Sequence, residues 1–201
     1  AYQGNRIDPF GRPLPSPVSA FGSGYRRAIK PDVIFYGGRQ WYRLPLQPTN
    51  PVTIEPAIFR TTPGNKVASP GSLAGELNAT SYSCGTSNAT ALISRAAGIC
   101  YDSLQQIFNE QAAEVDPSNY EVPLLKAMLV HGCSWGDVGS RISEVLRTPE
   151  NGRQLSGLIS RWIGYGIPVV DRVLDCTEQR ATVLGFGQLS DGEAHVFSLP
   201  L

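Results

Sequence analysis

The chain has 201 residues, 17 basic and 17 acidic, and 41% hydrophobic side chains, enough to bury a sizeable core. Balanced charge, with no basic run or interleaved aromatic stripe, argues against a nucleic-acid partner. No apolar run reaches the roughly 18 residues of a membrane span, and AYQGNRIDPFG lacks the basic start and apolar core of a signal peptide.

The first 70 residues hold 11 of the 16 prolines, which points to strand and loop. Within them, PDVIFYGG predicts a buried strand from Val33 to Tyr36 that ends at Gly37 and Gly38. Residues 40–61 predict two short strands around a Pro/Asn turn, and TTPGNKVASPGS is expected to be loop. From Gly85 onward proline is sparse and the apolar period is helical. Helices are expected over 87–112, 121–132, 137–147 and 153–163, with a shorter one near 168–175. In the first, Ala89, Leu92, Ile93, Ala96, Ala97, Ile99 and Cys100 cover so much of the circumference that burial on most sides is expected. Pro123 suits the first turn of the second helix, where a missing N–H is tolerated. RATVLGFGQL and EAHVFSLPL flank the turn SDGE and predict a β-hairpin. A β-rich region is expected to follow it.

Cys84, Cys100, Cys133 and Cys176 are irregularly spaced in a chain too large to depend on disulfides, which favours reduced thiols and, with them, a cytoplasmic location. No CxxC or HxxxH pairing joins them to His131 or His195, so no metal site is assigned. GYG at 164–166 and GFG at 185–187 lack the rest of a dinucleotide-binding turn. The sequons NAT at 78–80 and 88–90 match glycosylation acceptors only formally, and the second lies at a helix start. Trp41, Tyr42, Trp135 and Trp162 are scattered, as packing residues are. Arg26, Arg27 and Lys30 form a small basic cluster expected to be a solvated loop.

The stretch SCGTSNATA, residues 83–91, carries the chemistry. A serine at a helix start caps free N–H groups, and the same N–H groups and helix dipole also suit a developing oxyanion. GTSNATA, followed by a small-residue helix and preceded by SAFGSGYRRAIKPDVIFYGG, resembles the C-terminal half of a subtilisin-like serine peptidase catalytic domain. VPLLKAMLVHGCSW and WIGYGIP resemble the elements that follow in that family, and the likeness spans about residues 16–175. Asn88 stands where the family often has Met, and Ala91 where it often has Pro. The segment between Gly38 and Gly85 is longer than usual, which fits an inserted hairpin over about 39–83.

The resemblance implies an α/β fold, part of a subtilisin-like domain over 1–175, with a parallel-sheet core strand and a buried nucleophile helix, followed by the start of a β-rich region at 176–201. It implies peptide-bond hydrolysis on a peptide or protein substrate, with Ser87 as nucleophile and its own N–H as one oxyanion donor. Gly85 and Thr86 would leave room for the substrate backbone. No organic cofactor is implied, and no local carboxylate cluster supports a structural Ca²⁺ site.

A serine hydroxyl needs a general base, usually a histidine held by a carboxylate. The family's order is Asp, His, Ser, and no histidine precedes Ser87. Asp32 lacks the context of the triad aspartate, and neither His131 nor His195 has that of the triad histidine; the second oxyanion donor, an Asn, is also expected upstream of Ala1. The expectation is therefore a fragment of a larger endopeptidase, inactive alone. Its rivals are a pseudo-peptidase scaffold or interaction module, and a hydrolase pairing Ser87 with His195.

Overall fold

A computed structural model describes residues 6–7, 14–17, 19–45, 47, 50–51, 53–57, 63–110 and 116–196. The architecture is mixed α and β, with small antiparallel sheets. Strands β1 (Arg6–Ile7), β2 (Trp41–Arg43) and β3 (Glu55–Ala57) form one sheet in that order, with Trp41 opposite Ala57 and Arg43 opposite Glu55. β2 and β3 are the two strands expected around the Pro/Asn turn, and the Arg43–Glu55 ion pair at 3.0 Å closes their outer edge.

β4 (Asn65–Ala68) and β5 (Thr80–Ser83) pair antiparallel, with Asn65 opposite Ser83 and Ala68 opposite Thr80. This corrects the expectation of loop over TTPGNKVASPGS. The strand Asn-Lys-Val-Ala has one β-branched residue, so its conformation comes from the distant ladder rather than from local propensity. The connection between the strands is organised by Glu76, whose carboxylate accepts from the N–H groups of Ser72 and Leu73 at 2.9 and 3.4 Å.

Among the described residues, five α-helices follow: α1 (Thr86–Glu110), α2 (Glu121–His131), α3 (Gly136–Leu146), α4 (Leu155–Ile163) and α5 (Asp171–Leu174). The two-residue strands β6 (Cys133–Ser134) and β7 (Ile167–Pro168) bracket α3 and α4 and pair with each other. One core cluster joins Cys100 and Leu104 of α1, Leu124 and Met128 of α2, and Val173 of α5. The other joins Val138 and Ile142 of α3 to Leu155, Ile159 and Ile163 of α4, with Ile34, Trp135 and Trp162 packed against it.

Two expectations about the apolar pattern are corrected. In α1 only Ala96, Cys100 and Leu104 are buried among the described side chains, while Leu92 and Ile99 are 39% and 38% exposed. Spacing by four places the three buried residues on one stripe, and α2 is the helix packed there. The helix is therefore covered along one face, not on most sides. Near the C-terminus the SDGE turn forms, with Glu193 N–H donating to Ser190 O at 3.1 Å, but no described residue of 181–196 lies in a strand. Phe186 packs instead at 5.8 Å from the Phe108 ring and 5.2 Å from that of Tyr120, and His195 Nε2 lies 3.1 Å from Gln188 O. Aromatic capture by the helical core has replaced a cross-strand ladder. Phe197–Leu201, the remainder of the expected hairpin, lies outside the described residues.

The buried strand expected over Val33–Tyr36 is not formed: these residues carry no strand ladder, none is buried, and Tyr36 is 58% exposed. Tyr165 N–H donates to Asp32 O at 2.9 Å, and Ile34 N–H to Gly166 O at 3.0 Å. A parallel bridge would need Ile34 to reach Tyr165 O, so the contact is one residue out of register. The offset arises in the GYG turn, where Gly164 and Gly166 have φ of +59° and +109°. A Cβ on Gly164 would stand 2.1 Å from Pro31 O. GYG and KPD are thus packed backbone against backbone, and glycine is required for it.

The same segment is tied to α2 by charge. Lys126 of α2 lies 2.7 Å from Asp32, and Lys30 also contacts the Asp32 carboxylate. Lys30 is therefore paired, whereas Arg26 and Arg27 of the expected basic cluster are exposed. Hydrogen bonding from Lys126 and then Lys30 holds the Asp32 carboxyl below its ordinary pKa. A depressed folded-state value means stabilisation that is full above the unfolded value of about 3.9 and is lost as pH falls through the folded value. Asp32→Asn is accordingly expected to lower Tm at pH 6 by at most a few degrees, since both partners are partly solvated. The gap to wild type should close as pH falls below about 4. Thermal melts across that range measure it, and a gap that widens on acidification would contradict the ion pair.

Candidate active site

α1 begins at Thr86, so Ser87 occupies the second helical position and Gly85 the position before the helix. Ser87 is exposed. The serine does not cap the helix. Its Oγ makes no hydrogen bond to a described residue, and the N–H groups of Thr86 and Ser87 likewise donate to no described acceptor. The hydroxyl and two unsatisfied first-turn N–H groups thus share one exposed helix start, where the positive end of the helix dipole acts.

What fixes this turn is glycine backbone. Gly85 has φ +155°, a conformation that L side chains rarely adopt. Its N–H donates to Gly37 O at 2.8 Å, and the contact is so close that a Cβ on Gly37 would stand 2.6 Å from Gly85 O. Gly38 and Gly64 approach Ser83 O in the same way, at 2.6 and 2.7 Å from an added Cβ. The end of the PDVIFYGG segment and the start of β4 therefore cradle the residues that lead into Ser87.

Asn88 completes the lock. Its Nδ2 donates to Gly37 O at 3.2 Å and to Ser83 Oγ at 2.9 Å, and the Ser83 hydroxyl lies 3.2 Å from its Oδ1. One side chain thus joins the glycine segment, β5 and α1. Its amide is consumed by these bonds, which leaves the sequon at 88–90 no free acceptor nitrogen. Asn78, in the other sequon, is exposed just before β5.

Neither histidine meets Ser87: His131 ends α2, and His195 Nε2 faces Gln188 O. Ser87 Oγ makes no hydrogen bond to a described residue, so no Ser87–His195 hydrogen bond is formed. Asp32 is occupied by the two lysines and orients no histidine. Cys84 is exposed, three residues before Ser87, and its thiol donates to Gln40 Oε1 at 3.0 Å. Partial burial pushes that thiol's pKa up, and burial raises that of Cys133 to about 11; both favour the unreactive protonated form. All four cysteines are free. Among the described residues no group of three His, Cys, Asp or Glu side chains could hold a metal ion, and no helix is long and apolar enough to cross a membrane.

The structure therefore brings Gly85, Thr86 and Ser87 to one exposed turn and leaves the candidate bases elsewhere. The sequence marks Asn88 as a departure from the family pattern and as a formal sequon residue, without a structural role. A polar amide at the mouth of an alanine-rich helix was the available signal, but its partner Gly37 lies 51 residues away. No family model matches the chain, and comparison with curated proteins and with solved structures found no match.

Proposed function

We propose that this chain is the nucleophile-bearing part of a subtilisin-like serine endopeptidase. Ser87 attacks the scissile carbonyl, its own N–H is one donor to the resulting oxyanion, and Gly85 and Thr86 admit the substrate backbone. The observation that carries this reading is the state of Ser87: exposed, uncapping, and set among free first-turn N–H groups on a glycine-locked turn. A serine kept for helix stability would spend its oxygen on those N–H groups. Here they are left for an incoming negative charge.

The base and its carboxylate are supplied by polypeptide outside these 201 residues, because no histidine precedes Ser87 and neither of the two that follow reaches it. Alone, the chain holds a weak nucleophile and part of an oxyanion site. The purified 201 residues are expected to cleave fluorogenic peptides no faster than buffer does. Turnover that Ser87→Ala abolishes would show that a base lies within the chain and overturn this division of labour.

A further inference from the structure

We infer that Asn88 is a positioning residue for Ser87, acting together with Ser83 as a side-chain clamp on the nucleophile turn; this rests on the reading of Ser87 as nucleophile. The turn has two kinds of restraint. Gly85 is joined to Gly37 by one backbone hydrogen bond of 2.8 Å, which fixes distance at a single point and leaves the helix free to pivot about it. Asn88 adds a bond to the same Gly37 oxygen from the far side of Ser87, at 3.2 Å, and its exchange with Ser83 Oγ at 2.9 and 3.2 Å ties it to β5. Ser87 is thereby bracketed by Gly85 on one side and Asn88 on the other, with both held by the Gly37 carbonyl. Two anchors, Gly37 O and Ser83 Oγ, restrain the tilt of the turn, whereas one bond restrains only a distance.

Beyond these bonds and the close glycine contacts at Gly37, Gly38 and Gly64, the restraints on this end of α1 are local. Thr90 Oγ1 bonds back to Thr86 O within the helix, which stiffens the turn without attaching it to anything. The buried residues of α1 begin at Ala96, more than two turns further on. Packing therefore holds the far part of the helix, and the Asn88 clamp holds the end that carries the nucleophile. An apolar side chain at position 88 could fill the space but could not donate to Gly37 O or pair with Ser83.

The test compares phosphonylation by a fluorophosphonate probe in the intact peptidase, with the inactivation rate at saturation separated from probe affinity. Asn88→Ala is expected to lower the saturated rate roughly 10- to 100-fold with affinity little changed, as misplacement of a reacting group by about an ångström does. Ser83→Ala should act in the same direction. The double variant should be no slower than Asn88→Ala, because both substitutions break one unit. Val173→Ala, which thins the core beside α2, serves as control: it should lower Tm without changing the saturated rate. A wild-type rate in Asn88→Ala, or a loss matched by Val173→Ala at equal Tm loss, overturns the clamp. Labelling that survives Ser87→Ala would instead overturn the nucleophile reading beneath it.

Discussion

On the proposed reading of Ser87 as the nucleophile of a serine endopeptidase, Ser87→Ala is expected to lower kcat about 10⁶-fold, the size of loss that removing the nucleophile causes in subtilisin. The magnitude follows from what remains. Alanine has nothing to attack the carbonyl with, so the covalent route closes, while the N–H of residue 87 stays and can still polarise a bound carbonyl. Residual catalysis of roughly 10³- to 10⁴-fold over water is the expected floor. Affinity for peptides should change little, because the Ser87 hydroxyl binds no described residue and its removal leaves no partner unsatisfied. Helix stability should also be nearly unaffected, since Ser87 does not cap α1. A substantial fall in Tm for Ser87→Ala would return the serine to a structural role.

Gly37→Ala should have the next largest effect. The added Cβ would sit 2.6 Å from Gly85 O and 3.2 Å from Gly85 C, both backbone atoms that cannot swing aside. Either the glycine segment or the nucleophile turn must retreat, and the 2.8 Å bond from Gly85 N–H to Gly37 O lengthens or breaks in doing so. Overpacking of this kind costs about 1–3 kcal/mol. The effect on rate should be larger than the effect on stability suggests, because the displaced atoms lead directly to Ser87; a shift of about 1 Å corresponds to roughly 100-fold in kcat. The backbone conformation of Gly37 is itself open to alanine, unlike that of Gly38 at φ +86°. The contact alone is therefore at stake, and kcat with Tm measures it. Wild-type kcat in Gly37→Ala would mean that the glycine segment does not locate Ser87.

The helices were legible because their signals are local. Alternation of apolar residues at helical spacing marked α2, α3 and α4 to within two residues at each boundary, and Pro123 falls in the first turn of α2 as its chemistry requires. The start of α1 was marked by Gly85 and the small polar residues after it. β4 and β5 were not legible, since Asn-Lys-Val-Ala becomes a strand only by pairing with residues 80–83 across a connection organised by Glu76. The C-terminal hairpin failed for a related reason. Val183, Leu184 and Phe186 have the residue types of a strand, yet Phe186 finds Phe108 and Tyr120, and no local rule foresees a non-local aromatic partner.

The candidate site divides in the same manner. The placement of Gly85, Thr86 and Ser87 at a helix start was readable from a short stretch, but such a stretch says nothing about whether a serine caps its helix. The free first-turn N–H groups settle that point only in three dimensions. The exposure of Leu92 and Ile99 was also unreadable, because periodicity tells which faces of a helix are apolar and not how many of them find a partner. The hydrogen bonds of Asn88 were not readable because its partners are Gly37, distant in sequence, and Ser83, across the turn.

The most direct measurement is fluorophosphonate labelling of the proposed peptidase, wild type against Ser87→Ala, with the modified peptide identified by mass spectrometry. One phosphonyl group on Ser87 is expected in the wild type and no labelling of the variant. Equal labelling of the two proteins, or a phosphonyl group on another serine, would contradict it.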